Sequence, residues 1–189
     1  MFQSDLDWTE DVILNDGRII RLMRHQEFKG PHSLEHPPSA SAYWIEFKHP
    51  DTGENIRWAN EMHLAAVALF IKKGEFWLLT TPKYVSSWDI HNRPIPPYLL
   101  YKYEQSWGMV PLHEAPIKKI KVNLTTDPRL RMAEIKESEG HLSSKKTFET
   151  RFRGCSPCII NLEAVKSQTF NSKSKVDRDY LKEPLKKND

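Results

Sequence analysis

Asp11-Val12-Ile13-Leu14-Asn15-Asp16-Gly17-Arg18-Ile19-Ile20-Arg21-Leu22-Met23-Arg24 sets the reading of the fold. Two apolar runs, Val12 to Leu14 and Ile19 to Leu22, flank an Asn-Asp-Gly turn. Asp-Gly tolerates the positive φ angles of a tight hairpin turn, so the stretch predicts two antiparallel strands. The same grammar recurs downstream. Between Ala42 and Ala59, Tyr43, Ile45 and Phe47 alternate with Trp44, Glu46 and Lys48. His49-Pro50-Asp51-Thr52-Gly53-Glu54 then turns the chain, and Ile56 and Trp58 resume the period of two. Val67 to Ile71 and Phe76 to Thr80 surround Lys72-Lys73-Gly74, and their unbroken apolar runs predict strands buried on both faces. Leu99, Tyr101 and Tyr103 share one face of a fourth hairpin that returns through Met109-Val110. Four successive hairpins predict a mainly β, antiparallel meander, arranged as a small sheet, sandwich or partial barrel, with a short α+β extension.

The chain has 189 residues, 20 of them aromatic, and 16 of those, with all six tryptophans, lie in the first 107 residues. The main core is therefore expected in residues 1–115, followed by an α+β extension over 116–165 and a basic polar tail over 166–189. In the extension, Ile120, Val122 and Leu124 alternate with polar residues as in an edge strand. Asp127-Pro128 is a helix start and Gly140 a stop for a surface helix, while Lys146 to Arg153 supplies one more strand. Lys29 to Ala40 and Pro82 to Pro97 are rich in Pro, Ser and His, have no hydrophobic period and read as loops. Loops longer than about 12 residues are enriched in function, so a binding rim is expected there.

Charge narrows the partner classes. The tail holds seven basic and four acidic side chains, which accounts for the whole net charge of +3 and leaves the first 165 residues neutral. A dedicated DNA-binding body carries its basic excess on the fold, because phosphate neutralisation supplies most of the affinity. The N-terminus is acidic and has no apolar h-region, and the longest apolar run, Leu64 to Ile71, falls short of the roughly 20 residues a bilayer span needs. A cytoplasmic, non-membrane setting is expected.

Several motifs carry candidate chemistry. His32-Ser33-Leu34-Glu35-His36 matches the H-x-x-E-H string of inverted zinc peptidases, but Pro31 and Pro37-Pro38 deny it the helix that the chemistry needs. Cys155-Ser156-Pro157-Cys158 is a C-x-x-C pair, suited to thiol redox or to half a zinc site, and its bland reading is a pair of structural cysteines. Asp89-Ile90-His91-Asn92-Arg93 gathers an acid, a base, an amide and a guanidinium, a set that serves acid/base work, phosphate binding or plain turn formation. Arg93-Pro94-Ile95-Pro96-Pro97-Tyr98 has polyproline character and reads as a rigid lead-in to the strand at Tyr98 or a dock for an aromatic groove. Trp44, Trp58 and Trp77 are assigned to the core, and Trp88 and Trp107, at loop or turn positions, are expected to be the more exposed.

The segments Asp11–Arg18 (DVILNDGR), His49–Trp58 (HPDTGENIRW) and Pro94–Trp107 (PIPPYLLYKYEQSW) are similar to a group of bacterial β-hairpin-rich proteins with no known activity. The resemblance spans Asp11 to Leu112. It implies a bacterial cytoplasmic setting and assigns no role to any residue.

The functional expectation is a non-enzymatic binding or accessory module that meets a protein partner through its loops and exposed aromatics. The binding residues are Trp88, Asp89, His91, Arg93, Tyr98 and Trp107. The alternatives are nucleic-acid binding by aromatic stacking with the basic tail, and a zinc or thiol-redox protein using Cys155 and Cys158, with zinc as the one cofactor to consider.

Overall fold

The Asn15-Asp16-Gly17 turn closes as its residues dictate. Leu14 N–H donates to the Arg18 carbonyl at 2.8 Å, Gly17 takes φ +89°, and the Asp16 carboxylate accepts from Arg18 N–H and Nε. The structure is a computed structural model in which residues 5–29, 39–60, 64–143 and 159–163 are described. In chain order the elements are β1 (Leu6–Ile13), β2 (Ile19–Lys29), β3 (Ser39–Lys48), β4 (Asn55–Asn60), β5 (Leu64–Lys72), β6 (Glu75–Pro82), α1 (Val85–Ile90), β7 (Leu99–Tyr103), β8 (Trp107–Val110), β9 (Lys119–Lys121), α2 (Met132–Glu137), β10 (His141–Leu142) and β11 (Ile159–Asn161). All four expected hairpins are present: β1–β2, β3–β4, β5–β6 and β7–β8. In the third, Lys73 and Gly74 both take positive φ, +53° and +82°, as a two-residue hairpin turn requires.

The strands form two larger sheets, ordered β10-β1-β2-β3-β4 and β5-β6-β7-β8, and a two-stranded β9-β11 ribbon. The inner faces of the larger sheets share one core. It takes Trp8, Val12, Ile20, Leu22, Ile45, Phe47, Ile56 and Trp58 from the first sheet and Leu69, Ile71, Phe76, Leu78 and Leu99 from the second. Edge-to-face pairs such as Phe47–Phe76, with centroids 4.8 Å apart, and Trp58–Tyr101, 5.8 Å apart, cross the interface. A second cluster lies on the other face of the second sheet, where Leu112, Ile120, Val122, Ile160 and Leu162 cover Val67, Phe70, Trp77, Leu79 and Leu100. β5 and β6 are thus buried on both faces, as their continuous apolar runs predicted. A bulge between Ala66 and Ala68 switches the facing of β5, so Ala66 and Leu69 both point to the first core while Val67 and Ala68 point to the second.

Trp44 corrects one expectation. It lies opposite in parity to Tyr43, Ile45 and Phe47 and stands half-buried on the outer face of the first sheet, outside the core. His25 on β2 stacks on the indole at 5.4 Å, and Arg57 on β4 lies over it at 4.8 Å. Flanking side chains from both neighbouring strands therefore occupy this ring.

One side of the sandwich is sealed by asparagines. Asn123 accepts from Leu69 N–H at 2.9 Å and donates to the Leu69 carbonyl at 2.7 Å and the Ile13 carbonyl at 2.9 Å. It acts as a one-residue strand between β5 and β1. Asn15 repeats the device with both backbone groups of Ile71. At one end of the sandwich the turns are tied together by Arg18–Asp51, by His49 with the Gly74 carbonyl, and by Tyr103 donating to Glu54. The other end, where β6 finishes, carries α1.

Pro82 to Pro97, expected as a loop, contains α1, a six-residue helix too short to show a period. Asp127-Pro128 starts a helical stretch as expected, with the Asp127 carboxylate accepting from Arg129 N–H at 3.1 Å. That stretch is a 3-10 turn (Pro128–Arg131) running into α2, and Gly140, at φ +82°, ends it. Ile135 is buried in the core, whereas Leu130 is 81% exposed. Among the described residues no helix is long and apolar enough to cross a membrane.

Candidate functional site

The excursion between β6 and β7 folds back on itself. Tyr84 is the N-cap of α1, and buried Ser87 closes the first turn by accepting from Tyr84 N–H at 2.9 Å and donating to the Tyr84 carbonyl at 2.8 Å. Asn92 and Arg93 then take left-handed φ angles of +57° and +49°, which reverses the chain so that Arg93 N–H reaches the Trp88 carbonyl at 2.8 Å. The Arg93 guanidinium lies 5.5 Å from the Trp88 ring and pairs with Asp89 at 2.5 Å, which holds its pKa above the ordinary arginine value. The Trp88 indole N–H donates to the Pro94 carbonyl at 3.1 Å. The Ile95–Pro96 bond is cis, and Tyr98 N–H and Thr81 Oγ1 anchor the run to the carbonyls of Pro96 and Pro97.

Trp88, Asp89 and Arg93 are therefore brought together, with their polar groups satisfied largely by one another. His91 turns inward. It is 6% exposed, its Nε2 has no hydrogen-bond partner, and burial pushes its pKa down to about 4, so at neutral pH it is an uncharged imidazole in the protein interior. Tyr98 is half-buried against the second core cluster. Trp107 starts β8 at the opposite, turn-rich end, where its ring lies 5.3 Å from Tyr103 and packs against the first core. Trp88 and Trp107, expected to be the more exposed tryptophans, are both half-buried. His32, His36, Cys155, Cys158, the Lys146 to Arg153 strand and the basic tail lie outside the described residues. Among the described residues no group of three or more His, Cys, Asp or Glu side chains is placed to hold a metal ion.

A buried charge cluster that no sequence motif announces spans β1 and β2. Glu10 and Arg24 sit at inward positions of β1 and β2 and are 0% and 1% exposed. Arg24 Nη1 donates to the Glu10 carboxylate, and Nη2 donates to the Tyr43 hydroxyl and, at 2.7 Å, to the Thr125 carbonyl. The other Glu10 oxygen accepts from Thr125 N–H at 2.8 Å and Oγ1 at 3.0 Å. The guanidinium also lies over Trp8 at 4.9 Å and Tyr43 at 5.2 Å. Burial lowers the pKa of Arg24, opposed by the charge and hydrogen bond of Glu10. A sequence signal exists: a carboxylate between Trp8 and Val12, and a guanidinium beyond Leu22, occupy the apolar parity of their strands.

Lys83, at the end of β6, lies in the fields of Asp127, Arg129 and Arg24. Burial is the main cause that lowers its pKa, Asp127 opposes the fall, and the two arginines add to it. Burial by itself would raise Asp127, but its hydrogen bonds to Arg129 and the charge of Lys83 outweigh that and hold the carboxyl below its usual range. Arg129 also approaches Tyr84, the N-cap of α1. That contact brings together two elements that carry exposed apolar side chains: Val85 (71%), Ile90 (36%) and Ile95 (57%) on the excursion, and Leu130 (81%) on the 3-10 turn.

The chain matches no protein-family model, no curated protein and no solved structure.

Proposed function

We propose that this protein is a binding module that receives a protein partner on the α1 end of the sandwich. The observation that carries the reading is the exposure of four large aliphatic side chains, Val85, Ile90, Ile95 and Leu130, on two elements joined through Tyr84 and Arg129. Single exposed apolar residues are ordinary on any surface. Four on two elements that meet through Tyr84 and Arg129, one of which also carries the half-buried Trp88 and the Arg93–Asp89 pair, offer the mix of apolar and polar groups that interfaces use. Fully covering one such side chain contributes about 1.5–3 kcal/mol, so these four are the residues whose loss a complex would feel most. Trp88, Asp89 and Arg93 serve as the frame that presents Ile90 and Ile95. His91 holds the base of that frame, and Tyr98 leads it back into β7.

The test pairs Val85→Asp with Leu130→Asp in one variant. Both side chains are already in solvent, so the fold and its melting temperature are expected to stay unchanged. The tagged wild type, cross-linked in its host and recovered, is expected to bring down a defined partner that the double variant loses at least tenfold. Recovery of no partner, or of the same partner by both forms, refutes the proposal.

A further inference from the structure

Thr9, Asp11 and His141 meet on the outer face of the first sheet. β1 pairs in parallel with β10, and the register sets Thr9 opposite His141 although 132 positions separate them. Trp8, Glu10 and Val12 point inward, so Thr9 and Asp11 share the outer face one pleat apart. Thr9 Oγ1 lies 2.8 Å from His141 Nδ1, and His141 Nε2 lies 3.1 Å from Asp11 Oδ2. The carboxylate decides the tautomer. Because a carboxylate only accepts, the neutral imidazole keeps its proton on Nε2 and turns the Nδ1 lone pair to the Thr9 hydroxyl. The hydroxyl donates to that lone pair in preference to the Gly140 carbonyl, which is 3.4 Å away.

Hydroxyl, imidazole and carboxylate in this order are the nucleophile, general base and orienting group of acyl transfer. Solvent reaches all three, since Thr9 is half-buried and the His141 and Asp11 side chains are 33% and 19% exposed. A cation stands beside them. Arg21 lies opposite Asp11 on β2 and donates to its carboxylate from Nε at 2.9 Å and Nη2 at 3.4 Å. Met23 faces Thr9 directly, which makes Arg21 the diagonal neighbour of Thr9, and diagonal neighbours about 7–8 Å apart are within reach of a long side chain.

We propose that Thr9 is an acyl-accepting nucleophile with His141 as its general base. Asp11 is the positioning residue that fixes the imidazole, and Arg21 meets the charge that develops on the acyl oxygen. The set lies on the face of a sheet, a position open to small activated esters and thioesters. Oγ1 attacks the carbonyl carbon as its proton passes to Nδ1, and the tetrahedral intermediate collapses with that proton going to the departing alkoxide or thiolate. Water, deprotonated by the same imidazole, then attacks the Thr9 ester, and the acid leaves as Oγ1 regains its proton. One ester and one water become one carboxylic acid and one alcohol or thiol. The reaction uses none of the residues assigned to the partner surface, so it stands or falls independently of that reading.

The experiment supplies p-nitrophenyl acetate to the full-length protein, follows p-nitrophenolate release, and maps the acetylated residue by mass spectrometry after an acid quench. Release is expected at least tenfold faster than from the same chain unfolded in urea, which carries the same histidines and lysines, and the trapped acetyl group is expected on Thr9. Thr9→Ser is expected to keep the activity. Thr9→Val, which preserves the shape of the side chain, and His141→Gln are each expected to lower it at least tenfold. For Asp11→Ala the readouts are kcat, expected to fall, and the ¹⁵N spectrum of the His141 imidazole, expected to change from the Nε2-protonated tautomer to a mixture. A wild type that releases p-nitrophenolate no faster than its unfolded chain overturns the proposal, as does an acetyl group trapped only on other residues or an undiminished rate in Thr9→Val. An unchanged imidazole spectrum and rate in Asp11→Ala overturn the role of Asp11. The wild-type comparison needs no variant, so misfolding of a variant does not shield the idea.

Discussion

Acid should loosen the α1 end of this protein through one side chain. His91 is buried with its Nε2 unpartnered, and its pKa is pushed down to about 4 from an ordinary value of about 6.5. The folded state therefore resists protonation that the unfolded chain accepts. Below pH 6.5 the unfolded chain binds more protons, so the stability His91 contributes is fully present above that pH and is lost as pH falls through about 4. At about 1.4 kcal/mol per pKa unit, the gap amounts to about 3 kcal/mol by pH 4, a large share of the roughly 5–15 kcal/mol that holds a typical domain together. Urea unfolding of the wild type, His91→Asn and His91→Leu, followed by tryptophan fluorescence from pH 7 to pH 4, measures the difference directly. Both variants lack the titrating group, so the wild type should lose about 3 kcal/mol more than either across that window. The other ionisable groups titrate equally in all three and cancel. Identical pH slopes for the three proteins would show that His91 is protonated as easily folded as unfolded, and the burial argument would fail. Hydrogen exchange should place the first acid-induced opening at residues 85–98, because the His91 backbone also closes the last turn of α1 on the Ser87 carbonyl.

Two further perturbations examine the polar interior. Glu10→Gln is expected to cost about 3–5 kcal/mol by stranding the Arg24 guanidinium in the core, whereas the double change Glu10→Leu with Arg24→Met should recover most of that loss in chemical denaturation. A double variant no more stable than the single one would mean that the network holds the strands by shape rather than by charge pairing. Asn123→Ala removes three side-chain hydrogen bonds that join β1 to β5 and should cost about 3 kcal/mol, with the amide of Leu69 becoming the first in β5 to exchange. A loss under about 1 kcal/mol would show that core packing alone seals that side of the sandwich.

The hairpins were legible because their causes are local. Asp16-Gly17 and Lys73-Gly74 permit the positive φ angles of tight turns, and alternation or continuity of apolar residues reports whether one face of a strand is covered or both. The parity of β3 is equally readable: membership of a hairpin argues for a buried Trp44, but its neighbours Tyr43 and Ile45 occupy the inward positions and leave it on the outer face. Six residues of α1 carry too little period to announce a helix, and they are held by Ser87 closing on Tyr84 and Arg93 closing on Trp88. Within the candidate site, the cluster of Asp89, His91 and Arg93 was visible as a motif, whereas its division into a surface pair and a buried imidazole was not.

What the sequence determined alone is the set of hairpins and the amphipathic pattern that compels them to stack, since turn chemistry and strand period act over a few residues. Tertiary structure decided everything that joins distant parts. Asn123 bonds to Ile13 across 110 positions, Arg24 reaches the Thr125 carbonyl across 101, and a bulge in β5 reassigns which residues face which core. Asp127 gives its hydrogen bonds to Arg129 and shares only its charge with Lys83. Such outcomes depend on competition among groups that meet only after the chain has folded, and no local pattern records who wins it.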